Sequence, residues 1–372
     1  MKFIVAPDSY KECLSAERVA EAMKLGIMNV FPNDEVVLLP LADGGEGTVN
    51  ALVNGLNGER RSLNTVDMYL RPIETHYGVI DAHTAVIEVA SIIGMEVSKE
   101  RNPHLATSYG VGDVIGQLMD IGFKRILVGL GGSLTNDGGA GLLEALGVQY
   151  FRGNEVIQVN GGNLNEITHV DVSQLNPKLQ SIEIQLISDV NNPLIGENGA
   201  TYTFGKQKGI NDDELKMFEL NIEHYSGLLE ETIEQHHIQT QGAGAAGGIG
   251  YGLLMLGANM MPGAAYIIDL LKVDQHLQDA DYLITGEGMS DFQTAYGKLP
   301  SVIAKRANAF GVKPILISGS LGKDYLSLLD DFISVQSIMT HPMTLQEAMH
   351  NASKLIQEST QNTCHMIKRL ER

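Results

Sequence analysis

Cysteine is scarce in this chain. Cys13 and Cys364 are the only two in 372 residues, too few for a disulfide framework and in keeping with a reducing compartment. Basic residues are short as well: 26 Lys and Arg stand against 45 Asp and Glu, a formal charge of −19. A field of that sign repels phosphodiester backbones, which argues against nucleic acid as a partner. Long apolar runs are missing too. The opening MKFIVAPDSYKE loses its apolar stretch at Pro7 and Asp8, too early for a secretory signal. The most apolar later segment, IGYGLLMLGANMMPGAAYIIDLL, is broken by Gly, Asn and Pro, so no membrane span is expected. Several signatures are absent: GxxxxGK[ST], G-x-S-x-G and H-R-D do not occur. His236 and His237 lack cysteines or spaced carboxylates for zinc, and His341 before Pro342 reads as a turn residue. The expectation is a cytoplasmic soluble protein with no membrane or nucleic-acid partner.

What is present is an ordinary globular composition, 44% hydrophobic and 19% charged, at a length that calls for two or three domains. KFIVAPDS reads as a strand ending in a turn, and Ser15 as the N-cap of the helical AERVAEAMKLGIMNVF. DEVVLLPLADGGEG and TVNALVNGL repeat that strand–turn–helix plan. RRSLNTVDMY, IETHYGVI and TAVIEVAS are short alternating pieces without helices between them, the grammar of a meander. GVGDVIGQLMDIGF reads as a helix leading into KRILVGL, SIEIQLISDVNNPL as a strand, and LKMFELNIEHYSGLLEETIEQHH as a helix. The last quarter returns to the opening rhythm with DYLITGEG, KPILISGS and DFISVQSI around the helical LPSVIAKRANAFG. The pattern predicts an α/β fold with a doubly wound, mostly parallel, Rossmann- or flavodoxin-like sheet built from both chain ends. Residues 1–61 and 277–372 form that discontinuous domain, and 62–276 an inserted α/β domain with mixed strands. The active site is expected in the cleft between them.

Open parallel sheets gather ligands beyond the carboxyl ends of their strands. FIVA leads to Asp8 and Lys11, VVLLP to Asp43 and Glu46, IEIQLIS to Asp189, and YLIT to Glu287, Asp291 and Lys298. One acid after a strand is usually a helix cap or a turn former; four clusters beside glycines resemble a metal and phosphate site. VGLGGSLTNDGGAG at 128–141 fits this, because successive N–H groups in mixed αR/αL turns make an anion nest. Gly131, Gly132, Gly138 and Gly139 would let a polyphosphate approach, with Ser133, Thr135 and Asn136 offering side-chain hydrogen bonds. The competing reading is a close-packed strand–helix turn. Carboxylates facing a triphosphate such as that of ATP require Mg²⁺ between them. Lys11, Lys206, Lys208 and Lys298 are the candidate counter-charges. GAGAAG at 242–247 matches G-x-G-x-x-G, but the mostly polar IEQHHIQTQ precedes it in place of a strand, so it reads as a glycine-lined helix start.

APDSYKECLSA, PLADGGEGT, GLGGSLTNDGGAGLLEALG, SDVNNPLIGENGAT with FGKQKG, GAGAAGGIGYGLL and GEGMSDFQTAYGKLP together resemble the bacterial glycerate kinases, in order from residue 3 to about residue 370. The resemblance is to the class with a discontinuous Rossmann-like domain and an inserted one. It implies transfer of the ATP γ-phosphoryl group to D-glycerate, giving 2-phosphoglycerate, with phosphorylation at O3 as the alternative. An NAD-dependent hydroxy-acid dehydrogenase is a further alternative, motivated by GAGAAG. Asp8, Ser9 and Lys11 match the first motif, Asp43 and Glu46 the second, Asp189 the fourth, and Asp291, Thr294, Gly297 and Lys298 the last. The roles implied are substrate binding by Asp8, Ser9, Lys11 and Glu46, proton acceptance by Asp43 or Asp189, and charge neutralisation by Lys298. Mg²⁺ would be held by Asp189 and Asp291, and the nucleotide phosphates by the 131–139 run. The partners implied are glycerate and ATP, in a monomer or a homodimer. The chain departs from the pattern at Glu12–Cys13, where glycine and serine are usual, and at Lys206, Met289 and Val302, usually proline, arginine and glycine.

Overall fold

Residues 1–95 and 97–371 are described in the computed structural model. Their contacts divide the chain into two compact units. Unit 1 comprises Met1–Asp43, Asn54–Leu56 and Gly263–Arg372; unit 2 comprises Gly44–Val53 and Asn57–Pro262.

The sheet of unit 1 has five strands, all parallel: Glu35–Leu38, Lys2–Val5, Tyr282–Thr285, Lys313–Ser318 and Ser334–Ser337, in that spatial order. Numbered along the chain the order is 2-1-3-4-5, the flavodoxin-like arrangement. Phe3 stands in register between Val36 and Tyr282. One sheet face, with Phe3, Val5, Ile284, Ile315 and Ile317, is covered by two helices. These are Ala16–Met28, through Val19, Met23 and Ile27, and Ala352–Leu370, through Leu355, Ile356 and Ile367. Ser15 caps the first of them, its hydroxyl accepting the Arg18 N–H at 3.5 Å. On the other face Leu316 packs with Ala304 of the helix Leu299–Ala309 and with Leu328 and Phe332.

Between the first strand and the first helix the chain makes a tight loop. The Tyr10 N–H donates to the Leu14 carbonyl at 2.8 Å, and the Leu14 N–H returns to the Tyr10 carbonyl at 2.9 Å. Closing it puts Glu12 at φ +62°, a left-handed conformation that disfavours a side chain. Glu12→Gly is therefore expected to raise the unfolding free energy by up to about 1 kcal/mol, the strain relieved less the extra freedom of glycine in the unfolded chain. Urea denaturation measures this, and a loss of stability of similar size would contradict it.

Unit 2 carries a six-stranded mixed sheet in the order Asn259–Pro262, Glu183–Ser188, Arg125–Gly129, Thr84–Glu88, Pro72–Val79, Glu59–Val66. The first four strands pair in parallel, and the last three form the meander expected from the sequence. A separate antiparallel sheet joins Glu155–Ile157, Gln149–Arg152 and His169–Asp171. Helices Tyr109–Ile121 and Leu215–Ile233 bury Val111, Ile115, Ile222, Tyr225 and Leu229 in one continuous core with Ile126 and Val128. The α/β class, with a mostly parallel sheet and mixed strands in the inserted part, is the one the sequence predicts. Among the described residues no helix is long and apolar enough to cross a membrane.

Candidate active site

In unit 1 the chain reverses its direction of sheet growth between Lys2–Val5 and Tyr282–Thr285, and ligands collect at such switch points. The loops leaving these two strands run side by side, the Asp8 N–H donating to the Gly286 carbonyl at 2.9 Å. A Cβ on Gly286 would lie 1.9 Å from the Ile317 carbonyl oxygen, so glycine alone permits the approach that presents Glu287. A cavity of about 650 Å³ opens there. Asp8, Ser9 and Lys11 reach it from the first strand, Asp43 from the second, and Glu287 and Lys298 from the third.

Asp8 is only 6% exposed. Its Oδ1 accepts the Ser9 N–H at 2.7 Å. Burial, reinforced by the nearby Asp43 charge and opposed by Lys11, pushes the Asp8 carboxyl up to about 7. The Lys11 amine lies 3.5 Å from Asp43 Oδ2, and that carboxylate holds it above the usual lysine range. Glu287 is buried, which raises its carboxyl. Its Oε1 accepts from the Ser290 hydroxyl at 2.9 Å and the Thr294 hydroxyl at 2.8 Å, and its Oε2 faces Lys298 Nζ at 3.8 Å. Lys298 is the N-cap residue of Leu299–Ala309. The cavity thus holds a protonatable carboxyl in reach of solvent-facing amines, the parts needed to take a proton from a hydroxyl and to steady an anion.

Five of the sequence-predicted residues, Asp8, Ser9, Lys11, Asp43 and Lys298, meet in this cavity. Glu287, noticed as one acid among several, is the member given no role in advance. Asp291 and Thr294 belong to unit 1 but act as a cap: Asp291 Oδ1 accepts the Gln293 N–H at 2.9 Å, and Thr294 Oγ1 accepts the Asp291 N–H at 3.2 Å. Glu46 and Asp189 are exposed residues of unit 2, the latter just beyond the strand Glu183–Ser188.

The 131–139 run lies in unit 2 and is largely closed by its own chain. Asp137 Oδ2 accepts from the Ser108 N–H and hydroxyl at 2.7 and 2.8 Å and from the Gly141 N–H at 3.2 Å; Oδ1 accepts from the Gly139 N–H at 3.2 Å. The Gly131, Leu134 and Gly138 N–H groups donate to the Gly44, Ile93 and Gly247 carbonyls. Thr135, Asn136, Gly138 and Gly139 are buried, Gly131 is half-buried and Gly132 exposed. Ser133 is buried, its hydroxyl accepting from Lys208 Nζ at 2.9 Å, and that amine also donates to the Thr135 carbonyl at 2.7 Å. Full burial pushes the Lys208 amine down to about 7 against the pull of Asp137. Lys206 instead is exposed and pairs with Asp212. The helix that follows, Ala140–Ala145, has six residues. Of this run, the Gly139 N–H is given to the Asp137 carboxyl. GAGAAG is a close-packed, glycine-lined helix start: a Cβ on Gly244 would lie 2.2 Å from the Pro193 carbonyl oxygen and one on Gly247 2.0 Å from the Thr135 carbonyl oxygen, and no strand precedes the motif. A dinucleotide turn is not formed there.

A flavodoxin-like unit with acids and lysines converging at its switch point, in one chain with a mixed α/β unit, belongs to the doubly wound α/β proteins that bind a small charged ligand beyond the strand ends. The sequence model of the glycerate kinase family matches residues 3–368. A glycerate kinase of Bacillus cereus is 40% identical over 99% of this chain and 98% of its own length. A glycerate 2-kinase of Escherichia coli K12 is 38% identical over 97% of each. The crystal structure of a candidate glycerate kinase 2 from Salmonella typhimurium LT2 covers 100% of this chain and 99% of its own, with a TM-score of 0.85 and 35% identity. The chain belongs to the glycerate kinase family and is an ATP-dependent kinase.

Proposed function

We propose that the chain transfers the γ-phosphoryl group of Mg·ATP to the C2 hydroxyl of D-glycerate, giving 2-phosphoglycerate, at the acid-and-lysine wall of the unit 1 cavity. The observation that carries this reading is Asp8: a carboxyl buried beside Asp43, titrating near 7, and lining a cavity with two amines. A general base works best with a pKa close to the operating pH. Its burial makes Asp8 the better proton acceptor than Asp43 or Asp189, the residues the sequence favours, because Asp43 is engaged with Lys11 and Asp189 is exposed. Lys11, kept protonated by Asp43, and Ser9 would bind the glycerate carboxylate. Lys298, set by Glu287, would offset charge on the phosphoryl group in flight. The 131–139 run is then part of the frame of unit 2.

Magnesium enters with the nucleotide as Mg·ATP. Among the described residues no group of three or more His, Cys, Asp or Glu is placed to hold a metal ion; one or two carboxylates with substrate phosphates suffice for Mg²⁺. Asp291 and Asp189 stand as separate candidate ligands, each tested alone. Asp291→Asn keeps a good helix cap while removing the charge. A metal role for Asp291 predicts a kcat loss of about 10²-fold or more with unchanged melting temperature, eased by raised Mg²⁺; a mere cap predicts no loss. Asp189→Asn is read the same way. The reading as a whole is tested by ADP release: it is expected to require both glycerate and Mg²⁺, and release that ignores glycerate would overturn it.

A further inference from the structure

The cavity of unit 1 is far larger than a three-carbon acid needs, and its walls differ in kind. The acids and lysines stand on the loops of the first three strands in chain order. A second wall is apolar: Ile338 and Met339 follow the strand Ser334–Ser337 at the opposite sheet edge, and Leu345, Ala348 and Met349 come from the short helix Leu345–His350. Three strand spacings of about 4.8 Å separate Lys2–Val5 from Ser334–Ser337, so the loops of these two strands start roughly 14 Å apart. Met339 and Leu345 are 37% and 76% exposed although both line the cavity. Large apolar side chains left open in a cavity mark a ligand's place more often than a surface accident. Glycerate has no apolar face to offer them.

We propose that this wall seats the base of the nucleotide, an adenine laid against Ile338, Met339, Leu345, Ala348 and Met349, with its phosphates directed toward Lys298. Thioether and aliphatic groups suit a flat polarizable ring, and the lateral separation of the walls suits an elongated ligand that is apolar at one end and anionic at the other. The proposal rests on the kinase reading above, and it places the nucleotide in unit 1 and not on the glycine run of unit 2.

Cys13 supplies a reporter that is independent of turnover. It lines the cavity, and its Sγ lies 3.4 Å from the Met349 carbonyl, whereas Cys364, the other cysteine, is wholly buried. N-ethylmaleimide labelling of the native protein, followed by peptide mass spectrometry, is run alone and with adenosine, ADP or glycerate. Adenosine and ADP are expected to slow Cys13 modification about tenfold or more at saturation, and glycerate to slow it far less. Unchanged labelling under adenosine and ADP would overturn the proposal even in a protein that phosphorylates glycerate, while loss of the kinase reading would show in the ADP-release assay instead. As a second measurement, Ala348→Phe fills the wall and is expected to raise KM for ATP about tenfold with KM for glycerate held; an unchanged KM for ATP would also overturn it.

Discussion

Asp8→Asn is expected to lower kcat by about 10²- to 10⁴-fold, the usual worth of a general base. The amide keeps an oxygen to accept the Ser9 N–H that Asp8 Oδ1 now receives, so the loop should hold its shape. The pH dependence follows from burial. The folded carboxyl titrates near 7, so the wild-type rate should fall as pH drops through that value and Asp8 takes up a proton. In the variant this limb should vanish and leave a low, flat profile. Stability moves the other way. The unfolded carboxyl ionises near the ordinary aspartate value of 3.8, and between there and 7 the unfolded chain holds fewer protons than the folded one. Ionising Asp8 therefore costs the fold stability as pH rises, and the variant should be at least as stable as the wild type above neutrality. A dead enzyme that also melts early at high pH would mean that Asp8 is structural.

Lys298→Met carries the second large effect, a loss in kcat of about 10²- to 10³-fold, comparable to removal of one donor aimed at transition-state charge. Its amine stands at the rim of the cavity, 43% exposed at the side chain and 3.8 Å from Glu287 Oε2, so it can turn to the phosphoryl group without breaking a buried pair. KM for glycerate should change little. Lys298→Arg should recover part of the loss, since charge is restored but not the shape of a compact ammonium. A methionine variant within twofold of wild-type turnover would remove Lys298 from the chemistry.

The acidic wall was legible because its logic is local. A hydrophobic run that breaks into Asp, Ser and Lys announces a strand and the loop beyond it, and parallel strands bring such loops to one sheet edge. Asp8, Lys11, Asp43 and Lys298 follow from that rule alone. Glu287 was visible in GEG but not its role, which depends on Gly286 meeting the Ile317 carbonyl from a strand some thirty residues on. The apolar wall was not legible: Ile338, Met339, Leu345, Ala348 and Met349 look like strand ends and helix faces anywhere. The glycine run shows the reverse difficulty. The sequence reads its residues as a nest for an outside anion; in the structure Asp137, inside SLTNDGGAG, accepts the Gly139 and Gly141 N–H groups. The small sheet of Gln149–Arg152, Glu155–Ile157 and His169–Asp171 left no pattern, because strands of three or four residues are too short for an alternation to show.

Phosphorus NMR of glycerate, Mg²⁺ and ATP incubated with the wild type and, side by side, with Asp8→Asn tests the account most directly. The wild type should build a phosphomonoester signal split into a doublet by the single proton on C2, and the variant should build almost none. A triplet would place the phosphate on the C3 methylene, and a doublet growing equally fast in both samples would contradict the assignment of Asp8 as the base.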